Sequence, residues 1–409
     1  MIDLEELKRK GLIKKARDII NSNKRERENA LTLKDVFPEG EFIETPYKNV
    51  FKVRNIYDIN EYIGEVSLGD IFNFKYDLNY FLTILSGNEN LKEFEFEKLL
   101  FFDVESTGLS SGAGNMVFLI GLGYFEDNRL VIDQYFIEDY INEKGLLYIL
   151  ENEFKKRSHL ISYNGKSFDF YVLKNRFILS RKFQFKLNNL LHYDLLHISR
   201  RMWKDILSEF SLINIEKHIL KFYRNIEDIP GYLIPIYYKE YLKFHNALKV
   251  KNIFYHNLMD VKSMIGILIK QVENIEKILN KNFPDTINPV STGKLFKKRG
   301  DLDIYKEILI YNLEAGYLNK EDTYKELILL YKKEKNYKKF LDLTYTMIEE
   351  FPDSPFSYIE AIKYYEHIEK DYNKALILLQ NLKEKISDEK LIDDVIKRED
   401  RIRKKCLKD

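Results

Sequence analysis

The feature that most constrains the fold is an apolar run that ends in two acids, Leu99-Leu100-Phe101-Phe102-Asp103-Val104-Glu105-Ser106-Thr107-Gly108. Such a run, rich in aromatic rings, predicts a strand of a buried sheet. Residues two apart on a strand project from the same face, so Asp103 and Glu105 repel each other unless a cation lies between them. A hard divalent metal suits such a pair. Taken alone, two such acids are more often solvated on an edge strand, and the rest of the chain decides between these interpretations.

Length, charge and cysteine content bound the class of protein. The chain has 409 residues, enough for two or three domains, and its 66 basic and 65 acidic residues leave no overall charge to attract a polyanion. Any nucleic-acid surface must therefore be local. The single cysteine, Cys406, excludes an intrachain disulfide and a cysteine zinc site, and the expected location is the cytoplasm. No segment is long and apolar enough to cross a membrane, so we expect no membrane contact.

Two regions are predicted before the first acidic strand. Residues 1–39 carry apolar positions at helical spacing among many Lys and Arg, which predicts a helical extension. A basic helix can touch nucleic acid, but a solvated surface is the simpler interpretation. Residues 40–97 contain short alternating runs, which predict a small β/α region that flanks the next domain.

Alternating strands and helices are predicted from residue 98. Apolar runs at 116–125 and 130–136 predict, with the acidic strand, a meander of three antiparallel strands. A helix is predicted over 143–156 and a further strand over 159–163. That strand runs into Asn164-Gly165-Lys166-Ser167-Phe168-Asp169. The glycine turn places Asp169 near the strand end, where a neighbouring strand can present Asp103.

Residues 178–204 are basic and aromatic. Six Lys and Arg residues stand against the single acid Asp194, with Phe183, Phe185, Tyr193 and Trp203 among them. Cations that track phosphates and rings that stack on bases suit a groove for single-stranded nucleic acid. A solvated helix face explains the same charges equally well, and both interpretations stay open.

The last acidic position lies in a helix predicted from about residue 246 to 279. His256 and Asp260 are four residues apart, so they stack one turn apart on the same face of that helix. Both side chains can therefore reach one point in a cleft. Taken alone, the pair is more often a simple contact on a helix surface.

Three ordered stretches together resemble the motifs of the DEDD superfamily of 3′→5′ exonucleases, whose fold is RNase H-like. They are Asp-x-Glu-x-Thr-Gly at 103–108, Asn-Gly-x-x-Phe-Asp at 164–169 and His-Asn-x-x-Asp-Val at 256–261. Further stretches resemble the bacterial YprB-type family (mitomycin repair factor B-like), namely Phe118-Leu119-Ile120-Gly121, Asp194-Leu195-Leu196-His197 and Asp228-Ile229-Pro230-Gly231. That family joins an RNase H-like exonuclease domain to tetratricopeptide repeats and is linked to DNA repair.

The resemblance implies roles for five residues. Asp103, Glu105, Asp169 and Asp260 match the acids that hold two divalent metal ions, Mg²⁺ or Mn²⁺, with Asp103 bridging both. His256 matches the general base. Many histidine-type members place their His five residues before the last Asp, where this chain has Tyr255. We favour His256 because Tyr255 is rotated about 100° away on an ideal helix, and the choice between the two stays open.

The C-terminal third predicts pairs of helices. Tyr324, Leu327, Leu330 and Tyr331 recur as Tyr358, Ala361, Tyr364 and Tyr365 at an offset of 34, which resembles tetratricopeptide repeats. We expect two good repeats, one degenerate repeat and a capping helix from about Asp388. Such an array offers a groove for a protein partner, such as a DNA helicase. Packing that merely stabilises the nuclease is an equally weighted interpretation.

The predicted fold is an α/β RNase H-like exonuclease domain over residues 98–282, a mixed sheet with flanking helices, followed by an all-α tetratricopeptide-like helical repeat domain over 290–409. The predicted function is metal-dependent 3′→5′ exonuclease activity, with DNA favoured over RNA. Two alternatives are kept. One is a catalytically idle nucleic-acid-binding scaffold that recruits partners through its repeats, and the other is a structure-specific endonuclease with the same two metals.

Overall fold

The computed structural model describes residues 30–73, 78–86, 96–108, 114–183, 187, 190–284, 286–316, 319–386 and 388–407. Residues 1–29 of the helical extension predicted over 1–39 lie outside them. The chain divides into two compact units between Glu276 and Lys277. The predicted domain limit near residue 282 therefore falls a few residues later than the division that the structure shows.

A seven-stranded mixed sheet forms the centre of the first unit, in the order β1-β2-β7-β6-β5-β8-β9. Its strands are β1 (Glu41–Ile43), β2 (Val50–Asp58), β5 (Leu99–Ser106), β6 (Val117–Glu126), β7 (Arg129–Phe136), β8 (His159–Ser162) and β9 (Leu191–Asp194). The predicted meander is confirmed, since β5, β6 and β7 are antiparallel neighbours. Strands β8 and β9 continue the sheet in parallel from β5. The sheet thus changes from antiparallel to parallel at the strand that carries Asp103.

The predicted flanking region over 40–97 is wrong in part. Strands β1 and β2 extend the central sheet, because the whole of β2 from Phe51 onward pairs with β7. Only β3 (Tyr62–Ile63) and β4 (Val66–Ser67) form a separate two-stranded sheet. Short alternating runs identify strands, but they do not reveal which sheet the strands join.

Helices surround the sheet of the first unit. They are α1 (Leu33–Val36), α2 (Leu78–Ser86), α3 (Glu143–Lys156), α4 (Asp169–Ser180), α5 (Leu195–Trp203), α6 (Leu212–Ile215), α7 (Ile234–Phe244) and α8 (Val250–Leu279). A π-helical turn, Glu216–Leu220, follows α6. Among the described residues, no helix is long and apolar enough to span a membrane.

Helix α8 packs closely on the sheet because β6 presents two glycines to it. A Cβ atom on Gly121 would lie 2.4 Å from Oδ1 of Asn257, and one on Gly123 would lie 2.6 Å from Cγ1 of Val261. Residues two apart on a strand face the same side, so the pair forms one shallow track for the helix. This close approach brings the polar residues of α8 to the acids of β5.

The second unit consists of consecutive helices. They are α9 (Pro289–Arg299), α10 (Leu302–Ala315), α11 (Lys320–Lys333), α12 (Tyr337–Glu350), α13 (Pro355–Tyr364), α14 (Tyr372–Lys383) and α15 (Glu389–Cys406). Asn336 and Asp371 cap α12 and α14 with their side chains, which explains the recurrence of a polar residue before Tyr at these positions. Asp388 caps α15, the helix expected from about that residue.

Candidate active site

Strand β5, at which the sheet changes from antiparallel to parallel, carries the first two acids. Asp103 pairs with Gly121 of β6, and Glu105 pairs with Leu119. The two acids are two residues apart on the strand, so their side chains face the same side of the sheet. The register shifts between Glu105 and Ser106, which marks a bulge at the end of the strand. Ligand sites in such sheets lie at the carboxyl ends of strands beside a change of direction.

The third acid, Asp169, begins α4 and is buried. The turn before it is held by Asp194 at the end of β9, whose carboxylate accepts hydrogen bonds from the backbone N–H groups of Asn164 and Lys166. Gly165 allows this turn to fit, since a Cβ atom there would lie 2.4 Å from Oγ of Ser162 and 3.0 Å from Oδ2 of Asp169. The position of Asp169 therefore depends on contacts from two neighbouring strands.

Asn257 of α8 joins that helix to the acidic strand. Its side-chain amide donates to the backbone oxygen of Asp103 at 3.1 Å and to the carboxylate Oδ2 of Asp103 at 2.9 Å. Its Oδ1 accepts a hydrogen bond from Nε2 of Gln134 on β7 at 2.9 Å. Asn257 is fully buried, so all three hydrogen bonds are shielded from water. The contact fixes one carboxylate oxygen of Asp103.

His256 lies between two carboxylates. Its Nδ1 is 2.7 Å from Oδ1 of Asp228, and its Nε2 is 3.7 Å from Oδ2 of Asp260. The neighbouring Tyr255 has a different partner, because its hydroxyl accepts a hydrogen bond from the backbone N–H of Asn225. Of the two residues considered for the base, the imidazole of His256 is therefore the one against Asp260.

Arg224 ties this part of the site together. Its guanidinium binds the carboxylate of Glu216 with two nitrogens, at 2.8 and 2.5 Å, and Oδ1 of Asp260 at 2.5 Å. A longer contact of 3.4 Å reaches Asp228. Glu216 lies in the π-helical turn, is 1% exposed and accepts a further hydrogen bond from Ser263 of α8. Four of the five guanidinium N–H donors are thus occupied, so Arg224 acts as a brace.

The acids of the site strongly influence one another. Burial raises the pKa of Asp103 well above its usual range, and the charges of Asp260 and Asp169 raise it further. The pKa of Glu105 is raised well above its usual range by burial and by Asp103, Asp260 and Asp169. Burial and the charges of Asp260 and Asp194 raise the pKa of Asp169 to about 8. The structure therefore brings all four predicted acids into one electrostatic site, where their charges repel.

The pKa values of His256 and Asp228, which lie beside these acids, shift in opposite directions. Burial lowers the pKa of His256, but Asp260 and the hydrogen bond with Asp228 outweigh it, and the net pKa lies above the ordinary value. Burial raises the pKa of Asp228, whereas the hydrogen bond with His256 and the charge of Arg224 lower it to a net value below the ordinary one. Asp228 is therefore an anion that accepts a hydrogen bond from Nδ1 of the imidazole.

The donor set fits hard divalent cations. Four carboxylates whose charges repel offer oxygen ligands of the kind that Mg²⁺ and Mn²⁺ prefer. Within the described ranges, no three His, Cys, Asp or Glu side chains converge closely enough to enclose an ion as they lie, and one oxygen of Asp260 is held by Arg224. Mg²⁺ usually keeps several water ligands, so a complete protein cage is not required.

Several supporting residues were missed from the sequence. Asp228 stands in the sequence only as part of a stretch that resembles the YprB-type family, while Arg224 and Glu216 carry no recognisable signal. A pair of acids flanking a lone arginine within a dozen residues is common on any surface. Their partners lie about thirty residues away or more on α8, and only the fold brings them together.

The interpretation of residues 178–204 as a groove for single-stranded nucleic acid is wrong in part. Tyr193 and Trp203 are 4% and 1% exposed, so their rings belong to the core and cannot stack on bases. Arg200 and Arg201 of α5 and Lys204 directly after it are exposed, as a solvated helix face predicts. Phe185 lies outside the described residues. The sequence did not predict β9, which lies within this stretch.

Comparison with known proteins agrees with this fold. A family model described as RNase_H superfamily matches residues 100–272, which include β5 to β9 and most of α8. Fold and site together thus define an RNase H-like protein. The chain is also similar to the uncharacterized protein YprB of Bacillus subtilis (strain 168), with 33% identity over 297 residues that cover 71% of this chain and 70% of the relative. The chain belongs to the YprB family.

Proposed function

We propose that the protein is a metal-dependent 3′→5′ exonuclease that hydrolyses DNA, with a role in DNA repair. The observation that carries this proposal is the mutual electrostatic influence of Asp103, Glu105, Asp169 and Asp260, which lie beside an imidazole where the sheet changes from antiparallel to parallel. A site without catalytic or metal-binding work has no physical need for carboxylates that raise each other's pKa.

In this proposal the four acids hold two divalent metal ions. When bound, such ions would supply activation of the attacking water and stabilisation of charge on the phosphate and the leaving oxygen. His256 accepts the proton of that water at Nε2, since Asp228 holds the opposite ring nitrogen in its protonated form. Asn257 fixes one oxygen of Asp103, and Arg224 keeps one oxygen of Asp260 in place. Both therefore limit how the acids can turn toward a ligand.

The preference for DNA over RNA is part of the proposal, with RNA as the alternative substrate. No contact among the described residues identifies a protein partner for the helical unit, so the proposal concerns nucleic acid alone. The lone cysteine, Cys406, is free and exposed, and we propose the reducing cytoplasm as the site of action. An idle scaffold and an endonuclease are the rival functions.

One panel of substrates tests these options. Matched single-stranded, duplex, nicked and RNA substrates, together with a covalently closed circle, are incubated with Mn²⁺ or Mg²⁺ and separately with EDTA. We expect metal-dependent loss of DNA with ends and persistence of the closed circle. Opening of the circle would support the endonuclease. Persistence of every substrate, with Asp103→Asn behaving as the wild type, would support the idle scaffold.

A further inference from the structure

The helical unit contains a one-residue irregularity in its repeat. Tyr331 and Tyr365 are 34 residues apart, whereas the helix caps Asn336 and Asp371 are 35 apart. The extra residue is accommodated by a π-helical turn, Tyr365–Glu369, which continues α13. Single π-helical turns of this kind are rare in proteins, and those that occur often lie at functional sites.

The turn buries a carboxylate beneath a group of cations. The side chain of Glu366 is fully buried, and it binds Arg401 through two nitrogens at 2.8 Å each. It also contacts Lys405 at 2.9 Å and Arg398 at 3.3 Å. Burial raises the pKa of Glu366, but these hydrogen bonds and charges lower it to about 2, so the carboxylate is ionised. One buried negative charge thus anchors three outward-facing positive charges.

A second buried carboxylate repeats the pattern nearby. Glu360 is 4% exposed and binds Lys332 at 2.5 Å and Lys363 at 2.6 Å. Lys333 at the end of α11 and Lys335 in the turn after it are exposed, and within the described residues neither forms an ion pair. Seven Lys and Arg side chains therefore surround two carboxylates, and the carboxylates are the buried members.

Six of these seven cations, all except Lys405, line a cavity of about 430 Å³. Its wall is formed by Lys332, Lys333, Lys335, Tyr337, Phe340, Lys363, Tyr364, His367, Ile368, Arg398 and Arg401. No Asp or Glu belongs to this wall. Tyr337 is half-buried, and its ring centroid lies 5.2 Å from that of Tyr364. A concave surface with excess positive charge and an accessible ring attracts a polyanion far more strongly than it attracts a neutral ligand.

We propose that this cavity binds the phosphodiester backbone of single-stranded nucleic acid. Lysines that line a concavity act as point charges along a strand, and Tyr337 offers a face to one base. The choice of nucleic acid over an acidic peptide rests on the proposed function, because the first unit is a nucleic-acid-processing fold. The cavity is a site for the substrate outside the acidic centre.

The test measures binding without hydrolysis. A fluorescein-labelled single-stranded oligonucleotide is titrated with the full chain in EDTA, and fluorescence anisotropy is recorded at several salt concentrations. The variant is Lys333→Gln with Lys335→Gln, both exposed. The control, Lys298→Gln with Lys390→Gln, makes the same change of net charge on exposed lysines of the same unit that are outside the cavity wall.

We expect the cavity variant to bind about 3- to 10-fold more weakly and to lower the salt slope by about one to two, while the control changes neither. Equal binding by both variants would overturn the proposal. So would displacement of the oligonucleotide by polyglutamate at a lower concentration of charges than by unlabelled oligonucleotide, which would identify an acidic peptide as the ligand.

Hydrolysis is measured separately, so the two proposals fail in different ways. If the protein cleaves DNA with metal but its binding of the oligonucleotide does not depend on Lys333 and Lys335, only the proposed cavity site is refuted. Binding that depends on these lysines, in a protein that cleaves nothing, would refute only the nuclease.

Discussion

Nδ1 of His256 lies 2.7 Å from Oδ1 of Asp228 and directs Nε2 of the same ring toward Asp260. If the imidazole accepts a proton during hydrolysis, His256→Ala lowers turnover by about 10²- to 10⁴-fold and leaves binding of DNA nearly unchanged. Steady-state kinetics on a short labelled strand separate the two quantities. Tyr255→Phe is the matched control, and loss of turnover in that variant with retention in His256→Ala would assign the base to Tyr255.

Asp228 should act through His256. We expect Asp228→Ala to lower turnover by about 10- to 100-fold, which is the usual effect of removing a residue that orients a functional histidine. Nitrogen-15 spectra of the histidine side chains in metal-free protein at pH 8 should show Nδ1 protonated in the wild type and a shift toward protonated Nε2 in the variant. His256→Ala assigns the signal.

Two further variants complete that experiment. Glu227→Ala removes the neighbouring carboxylate, which pairs with Lys251 at the surface, and should leave the spectrum and turnover unchanged. Asp228→Ala combined with His256→Ala should be no slower than His256→Ala alone. A fully additive loss would show that Asp228 acts independently of the imidazole.

Gly121 provides a structural test of the contact between α8 and β5. A Cβ atom there would meet Oδ1 of Asn257 at 2.4 Å, so Gly121→Ala should push Asn257 away from Asp103. We expect a loss of about 1–3 kcal/mol in the free energy of unfolding, together with reduced turnover. Gly231→Ala is the control, since nothing lies within 4 Å of its Cβ position. Equal stability of both variants in urea unfolding would contradict the packing described here.

Much of the fold was accessible from the sequence because its signals are local. The apolar runs of β5, β6 and β7 and the long apolar stripe of α8 are each local patterns that one segment carries by itself. The recurrence of Tyr324 as Tyr358 likewise predicted pairs of helices in the second unit. The acids were recognised because carboxylates are out of place beside a buried strand.

The remaining features depend on distant contacts. Sheet membership of β1 and β2 is decided by pairing with β7, more than seventy residues later. Arg224 and Glu216 acquire their meaning only when α8 supplies Asp260 and Ser263. Trp203, placed among cations in the sequence, turns inward because the other face of α5 carries the charge. Aromatic residues in a basic stretch therefore do not by themselves indicate a stacking surface.

Metal binding can be followed by thermal unfolding. The pKa of Asp103 is raised by burial and by its acidic neighbours, so its carboxylate lowers the stability of the metal-free fold once the pH exceeds the ordinary value of 3.8. At pH 8 in EDTA, Asp103→Asn should therefore raise the melting temperature by about 2–4 °C. Mn²⁺ should stabilise the wild type and leave the variant much less affected. An equal rise in melting temperature of both proteins with Mn²⁺ would show that Asp103 does not bind the metal.

Glu366 makes the stability of the helical unit depend on pH. Its pKa is about 2 in the folded chain against an ordinary 4.5, so its contribution is complete above pH 4.5 and is lost as the pH falls toward 2. Glu366→Gln should cost on the order of 2–3 kcal/mol at pH 7 and progressively less toward pH 3. Urea unfolding of the full chain measures both values, with the exposed Glu349→Gln as the control. A difference that grows on acidification would contradict the assigned ion pairs.

The central claim is that the four carboxylates catalyse removal of nucleotides from a 3′ end. The most direct measurement is the product pattern of a DNA strand labelled at its 5′ end and incubated with Mn²⁺, alongside Asp103→Ala. The account predicts a ladder that shortens one nucleotide at a time from the 3′ end, absent in EDTA and reduced at least 10²-fold in the variant. A strand that stays intact, or a ladder of equal intensity in Asp103→Ala, would contradict it.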